Sequence, residues 1–373
     1  MEISIIILAF IFLVFYVFYV SRYFFANFRI KDQLDIIKPS KTVAIVIPFR
    51  NEATNIKTLI KSLFTQEYPN DLLEIIFVDD HSTDRSSSLI EAFVDLSPFK
   101  IQVLSLTKGV GKKAALKKGV EASTSEYVIT CDADCTMNSK WVATMASHLN
   151  SNKSMIIGPV KIKTGNTLFE VLQETEFCAI MACTSGAAIR NKAISCNGAN
   201  LGYSRALYDK IKPYDLHVDI ASGDDVFFLF KAKQVVNPLR IGFVANPFAV
   251  VETSASSKIL PFVNQRIRWA KKSKYFEDWD SKNFGMVVIA LNMLMLFLMI
   301  YSIFNHHFFL VFIGCFISKL AVDYVLLLST KHWNQIKNPL LKSVLLSLIY
   351  PLYLLIIALL SLLSSSKWKG RNL

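Results

Sequence analysis

The chain is poor in charge. Only 19% of its 373 residues are Asp, Glu, Lys or Arg, against 53% hydrophobic residues and 28 Phe. A soluble domain ordinarily carries more charge, so membrane segments are expected. The six cysteines (Cys131, Cys135, Cys178, Cys183, Cys196 and Cys315) lack the spacing of a zinc knuckle, and the histidines lack metal-ligand spacing, which excludes a zinc site. Scattered thiols in a cytoplasmic domain read as reduced, small hydrophobic residues. Internal repeats and low-complexity linkers are also missing, which excludes a solenoid and leaves a compact domain long enough to bury a full core.

What is present begins with Ile3 to Val20, an unbroken apolar run of 18 residues. As a helix it measures roughly 27 Å, close to the ~30 Å hydrocarbon core of a bilayer. No basic residue precedes the run and no Ala-x-Ala site follows it, so residues 1–22 read as an uncleaved anchor rather than a signal peptide. Three more candidate spans, Gly285 to Phe304, Phe308 to Ser329 and Val344 to Leu363, fill residues 285–363. Within the second of these, Lys319 and Asp323 share a helix face and are expected to pair. Pro351 would kink the last. Arg22, Arg29, Lys31, Lys38 and Lys41 follow the first span, and Lys271, Lys272, Lys274 and Lys282 precede the second, so the intervening domain is expected in the cytoplasm of a multi-pass protein of a bacterial inner membrane. The basic tail, residues 364–373, disagrees: four crossings put it on the opposite side.

Between the spans, residues 42–257 alternate apolar strands with amphipathic helical stretches as βαβ units do. Expected strands are Thr42 to Ile47, Glu74 to Val78, Ile101 to Ser105, Glu126 to Cys131 and Met155 to Ile162. Two of these runs end in paired acids, Asp79-Asp80 and Asp132-Ala-Asp134. Ligands of open α/β sheets bind beyond the carboxyl ends of parallel strands, so one sheet edge would collect all four carboxylates. Residues i and i+2 at a strand end can aim both oxygens at one divalent ion. Residues 258–277 interleave Lys258, Arg266, Arg268, Lys271, Lys272 and Lys274 with apolar side chains at helical spacing, the pattern of an interfacial helix.

Two tempting motifs fail on their chemistry. Gly109-Val-Gly-Lys112 is no Walker loop, because Lys113 replaces the Ser or Thr that would hold magnesium. Asp132-Ala-Asp134 opens no calcium hand, because its twelfth position is Ala143 rather than a bidentate glutamate.

A set of signals remains in fixed order: Val43 to Glu52 (V-A-I-V-I-P-F-R-N-E), Val78-Asp-Asp-His-Ser-Thr-Asp84, Gly111-Lys112, Asp132-Ala-Asp134, Asn197-Gly-Ala-Asn200, Gly223-Asp-Asp225 and Gln265-Arg-Ile-Arg-Trp269. Together they resemble the family two glycosyltransferases of GT-A fold. The last resembles the Q-x-x-R-W signature of membrane-bound members such as cellulose, chitin and hyaluronan synthases.

The resemblance implies an α/β, Rossmann-like GT-A domain and an inverting transfer from a nucleotide sugar, a UDP-sugar being the commonest donor in that group. By the same carry-over, Pro48, Arg50, Glu52 and Asp80 hold the base, with Asp79 a turn-stabilising acid. Lys112 meets the phosphates, Asp132 the ribose or metal-bound water, and Asp134 the Mn or Mg ion. Asp225 matches the family's catalytic base, while Asp224 stands where the family has Glu. Adjacent acids repel, which can raise the proton affinity of one of them; a helix-capping pair is the alternative. Gln265 and Trp269 would border the acceptor, Arg268 would meet the diphosphate, and Asn197 to Asn200 would shape the acceptor side. A small bundle points to a membrane lipid or lipid-linked saccharide as acceptor, with processive polysaccharide synthesis left open. A nucleotidyltransferase and a nonenzymatic scaffold are the readings from other classes. Nucleic acid is not expected, because the net charge of +12 lies heavily beside the spans, where anionic lipid explains it.

Overall fold

The computed structural model describes residues 2–30, 38–163, 165, 167–216, 222–363, 367–368 and 371–372. The strands of the central domain are β1 (Val43–Phe49), β2 (Leu73–Asp79), β3 (Lys100–Ser105), β4 (Tyr127–Thr130), β5 (Thr136–Met137), β6 (Met155–Ile157), β7 (Val160–Ile162), β8 (Leu201–Ser204), β9 (Ile241–Phe243) and β10 (Val251–Thr253). Seven form one sheet in the order β3-β2-β1-β4-β8-β6-β9, and β5, β10 and β7 form a smaller one. β1 runs parallel to both β2 and β4, and β2 parallel to β3. β8 is antiparallel to its neighbours β4 and β6, so the sheet is mixed. The single strand expected over Met155 to Ile162 breaks at Gly158-Pro159, because Pro159 cannot donate to a ladder, and its halves enter different sheets.

β1 is buried along its whole length, as expected of a parallel strand covered on both faces. Pro48 sits within it at no cost to the ladder. Cys131 N–H donates to the Val46 carbonyl, so the groups of residues two apart point toward β4, and β4 has ended before it reaches Pro48.

The helices are α1 (Glu2–Arg29), α2 (Ile56–Phe64), α3 (Ser86–Val94), α4 (Lys112–Glu121), α5 (Trp141–Asn150), α6 (Leu168–Ile189), α7 (Arg205–Ile211), α8 (Asp224–Val235), α9 (Ile259–Ser273), α10 (Trp279–Phe304), α11 (His307–Ser329), α12 (Lys331–Asn334) and α13 (Pro339–Leu363). α2, α3 and α4 make the first three crossovers of the sheet. Gly119 lets α4 lie close: a Cβ there would fall 2.5 Å from Val46 Cγ1 and 3.0 Å from Val78 Cγ2. α6 starts with a capping box, in which the Thr167 hydroxyl accepts the Glu170 N–H and the Glu170 carboxylate accepts the Thr167 N–H.

Among the described residues four helices, α1, α10, α11 and α13, are long and apolar enough to cross a membrane. The sheet domain is stitched to them at several points. α6 packs so tightly on α1 that a Cβ on Gly186 would fall 2.5 Å from the Tyr23 carbonyl oxygen. Asn27 Nδ2 donates to the Ala182 carbonyl and to Ser329 Oγ. α12 places Trp333, 2% exposed, against Phe243 of β9. Lys342 of α13 pairs with Glu174 of α6 at 2.8 Å. Lys319 and Asp323 pair at 2.5 Å as expected, and Tyr16 of α1 donates to the same carboxylate, fastening α1 to α11. At the chain end β11 (Lys367–Trp368) pairs with β12 (Arg371–Asn372), and the backbone of β11 lies against α9.

Candidate active site

The carboxyl ends of β2 and β4 flank that of β1, so both acid pairs reach one edge, as the sequence requires. On the β2 side, Asp79 stabilises the turn by accepting the Ser82 N–H. Asp80 is 1% exposed, with its carboxylate 3.1 Å from His81 Nδ1. Arg50 Nη1 donates to the carbonyls of Asp80 and His81, at 2.8 and 2.9 Å. Asn51 adds its side-chain oxygen to the Thr83 N–H, and Ser86 Oγ accepts the Glu52 N–H. Arg50 therefore braces the loop after β1 against the loop after β2, and Pro48 lies buried in the strand.

On the β4 side, Asp132 receives the ammonium of Lys112, the first residue of α4. The preceding Gly111 has φ +95°, a conformation a side chain would strain, and it turns the chain so that Lys112 faces the strand end. Lys112 also lies within the fields of Asp224 and Asp225. Burial works against its charge, but these three carboxylates raise its affinity for a proton overall. Asp134 accepts from Thr253 Oγ1 of β10 at 3.1 Å. Burial, then the charges of Asp132 and Glu52, push its carboxyl above the usual range. Cys131 and Cys135 flank these acids, and all six thiols are buried and free.

Asp224 and Asp225 open α8, where the helix dipole favours negative charge. Gly223, at φ +90°, makes the turn; a Cβ there would strike the Phe227 ring at 2.8 Å. One oxygen of Asp225 accepts the Gly198 N–H at 2.9 Å, and the other accepts the Val226 N–H at 2.8 Å and lies 3.9 Å from Lys272 Nζ of α9. Thr130 Oγ1 ties the Gly198 carbonyl back to β4, so the loop before β8 and the helix end share one anchor. Burial alone would raise the Asp225 carboxyl. Lys272, Lys112 and the two N–H groups win, and hold it below the ordinary range. The repulsion between the two acids falls on Asp224, which burial and its neighbour push upward despite Lys112. Of the two adjacent acids, Asp225 therefore holds its proton the less tightly.

α9 brings the remaining cations. Burial lowers the Arg268 guanidinium, and the groups that counter this are Asp224, Asp132 and Asp225, which places its charge in their field. Lys272 is one turn further on. Gln265 and Trp269 are engaged elsewhere: Gln265 accepts from Arg266, and Trp269 packs between Arg266 and Phe177 of α6. Asn200 is buried and structural. Its amide donates to the Pro159 and Ala249 carbonyls and its oxygen accepts from Trp141 Nε1, while Asn197 closes its own turn on the Ala199 N–H. Lys272 and Thr253 are the site residues that sequence reasoning missed. Lys272 could have been found from its position four residues after Arg268.

Among the described residues, no three His, Cys, Asp or Glu side chains gather closely enough to complete an ion's shell. Asp132 and Asp134 nonetheless suit a hard divalent cation of the Mg type, which takes one or two carboxylates and completes its shell with water and substrate phosphate. Asp134 is buried beside the charges of Asp132 and Glu52, negative charge that a divalent ion would offset.

A mixed sheet with acids at the carboxyl edge, backed by lysines and an arginine from later helices, defines a GT-A glycosyltransferase fold. Along 96% of this chain and 99% of the other, the fold is similar to the mannosyltransferase PcManGT from Pyrobaculum calidifontis, solved with GDP-Man and Mn2+ (TM-score 0.57, 18% identity). Residues 44–212 match the family model Glycosyl transferase family 2. It is 24% identical over 245 residues to a probable glycosyltransferase, YdaM, of Bacillus subtilis, covering 64% of this chain and 57% of that protein. It is 25% identical over 246 residues to an N-acetylglucosaminyltransferase of Rhizobium meliloti, covering 63% and 56%. The chain thus spans little more than half the length of these two relatives. A third relative, an undecaprenyl-phosphate 4-deoxy-4-formamido-L-arabinose transferase of Yersinia pestis, is 29% identical over 142 residues, 36% of this chain and 42% of that one.

Proposed function

We propose that the chain is an inverting, metal-assisted glycosyltransferase that moves a sugar from a nucleotide-diphosphate donor onto a lipid or lipid-linked acceptor at a membrane surface. The observation that carries this reading is the meeting of Asp132, Asp224 and Asp225 with Lys112, Arg268 and Lys272 beside Gly198, on a sheet edge backed by apolar helices. Asp132 and Asp134 would hold Mn or Mg, which supplies charge to offset the departing diphosphate. Lys112 and Arg268 add positive charge on the same side, an electrostatic contribution that dominates many such transfers.

Asp225 serves as the base. The acceptor hydroxyl oxygen bonds to the anomeric carbon, the bond from that carbon to the diphosphate oxygen breaks, and the hydroxyl proton passes to the Asp225 carboxylate. Lys272 and the Gly198 N–H keep that carboxylate ionised beforehand. Asp80, Arg50 and Glu52 border the loops where the base of the nucleotide would lie, Arg50 by bracing them. Gln265 and Trp269 support the Q-x-x-R-W helix from behind. The Yersinia relative's name supports a lipid-linked acceptor.

The domain is read as cytoplasmic, and the contact of β11 with α9 supports a basic tail on the same side. α1, α10 and α11 then make three crossings, and α13 begins and ends on the cytoplasmic face. The basic tail, anomalous for four crossings, then obeys the charge rule. A reporter fused after Leu373 should be cytoplasmic; a periplasmic reporter would refute three crossings.

The function is tested with purified protein in lipid, offered UDP-glucose, UDP-N-acetylglucosamine and GDP-mannose with Mn or Mg. Release of nucleoside diphosphate with a lipid-sized glycosylated product is expected. Pyrophosphate release from a nucleoside triphosphate and a sugar 1-phosphate, with no turnover of the nucleotide sugars, would make the protein a nucleotidyltransferase instead, and a ladder of products would make it a polymerase.

A further inference from the structure

Arg266 of α9 takes no part in the chemistry above. It is 4% exposed. Its Nε and Nη2 donate to Glu176 Oε2 of α6 at 3.1 and 2.5 Å, and Nε also donates to Tyr353 Oη of α13 at 3.1 Å. Tyr353 in turn donates to the other oxygen of Glu176 at 2.9 Å, closing a three-membered ring of contacts. The guanidinium is further held between two rings of its own helix, 4.5 Å from the centroid of Phe262 and 4.3 Å from that of Trp269.

Arg266 and Arg268 are two residues apart, so they project from nearly opposite faces of α9, about 200° apart at 100° per residue. One face is pinned to α6 and α13, and the other carries Arg268, whose charge lies in the field of Asp224, Asp132 and Asp225. A helix fixed about its own axis at Arg266 is fixed at Arg268 as well. α13 itself cannot roll freely, because Lys342, eleven residues before Tyr353 and on the same face, is paired with Glu174.

We propose that Arg266 is a positioning residue, and that Glu176 and Tyr353 lock the rotation of α9 through it so that Arg268 meets the leaving diphosphate. The final apolar helix thereby becomes part of the catalytic apparatus rather than only an anchor. The proposal rests on the glycosyl-transfer reading, whose own failure is visible separately as absence of wild-type turnover.

The test is a double-mutant cycle on the full chain in lipid, read as nucleoside diphosphate release from whichever of UDP-glucose, UDP-N-acetylglucosamine or GDP-mannose the wild type turns over fastest. Tyr353→Phe keeps the ring and removes only the hydroxyl; Arg266→Lys keeps the charge and loses the paired donors. Each is expected to melt with the wild type and to lower kcat about fivefold to tenfold with donor KM changed less than about twofold. In an Arg268→Ala background, the same substitutions should cost less than about twofold, because the group they position is already gone. An undiminished factor in that background would show a role unconnected with Arg268 and overturn the proposal. Full activity in both single variants would overturn it equally, and a wild type inert toward all three donors would overturn the reading beneath it.

Discussion

Replacing Lys272 with methionine removes one ammonium while keeping most of the stem that lies beside Gly223. The ammonium lies 3.9 Å from Asp225 Oδ1, with the two side chains 15% and 16% exposed. At that distance two unit charges attract by about 1 kcal/mol in bulk water and about 4 kcal/mol at an effective dielectric of 20. One pH unit corresponds to about 1.4 kcal/mol, so the loss is worth roughly one to two units after partial screening by solvent. The sign follows from the direction of the shift. Asp225 is held below the ordinary carboxylate range, so its ionised form stabilises the fold above that range and the contribution is lost as pH falls through its folded value. Without Lys272 that window moves up. The pH dependence of kcat, followed as nucleoside diphosphate release, should be flat through mildly acidic pH for the wild type. For Lys272→Met it should gain an acid limb roughly one to two units higher than the wild type's. An acid limb in the same place for both proteins would refute the account of how Asp225 is kept charged.

Asp134→Ala should remove metal-dependent donor binding, since one of the two carboxylates that would hold the ion is gone; an Mn titration indistinguishable from wild type would reject Asp134 as a ligand. The location of the C-terminus, measured with the fused reporter, bears on the count of crossings and leaves the chemistry untouched.

The acid pairs were legible because each follows an apolar run whose end is marked by the carboxylates themselves, and β2 and β4 duly flank β1. α9 was legible from its charge pattern: it starts one residue after the expected 258 and ends four before the expected 277. The strands β8, β9 and β10 were not, because three or four residues are too few to show a period. The break at Gly158-Pro159 sits inside a run that is apolar on both sides, and only the proline hinted at it. Side-chain roles were harder still. Arg50 and Asn200 belong to motifs that suggest ligand contact, yet the Arg50 guanidinium and the Asn200 amide N–H groups donate to backbone carbonyls of neighbouring loops. That Asp225 holds its proton less tightly than Asp224 depends on Lys272 and the Gly198 N–H, which arrive from 47 residues downstream and 27 residues upstream of it.

The central claim is that Asp225 takes the acceptor proton while the donor is held by other groups. The direct measurement compares wild type and Asp225→Asn in lipid, each with Mn or Mg, for donor affinity by calorimetry and for sugar transfer by product mass. The account predicts donor affinity within about threefold of wild type and transfer reduced by about a hundredfold or more. Transfer at the wild-type rate, or loss of donor binding in step with loss of transfer, would contradict it.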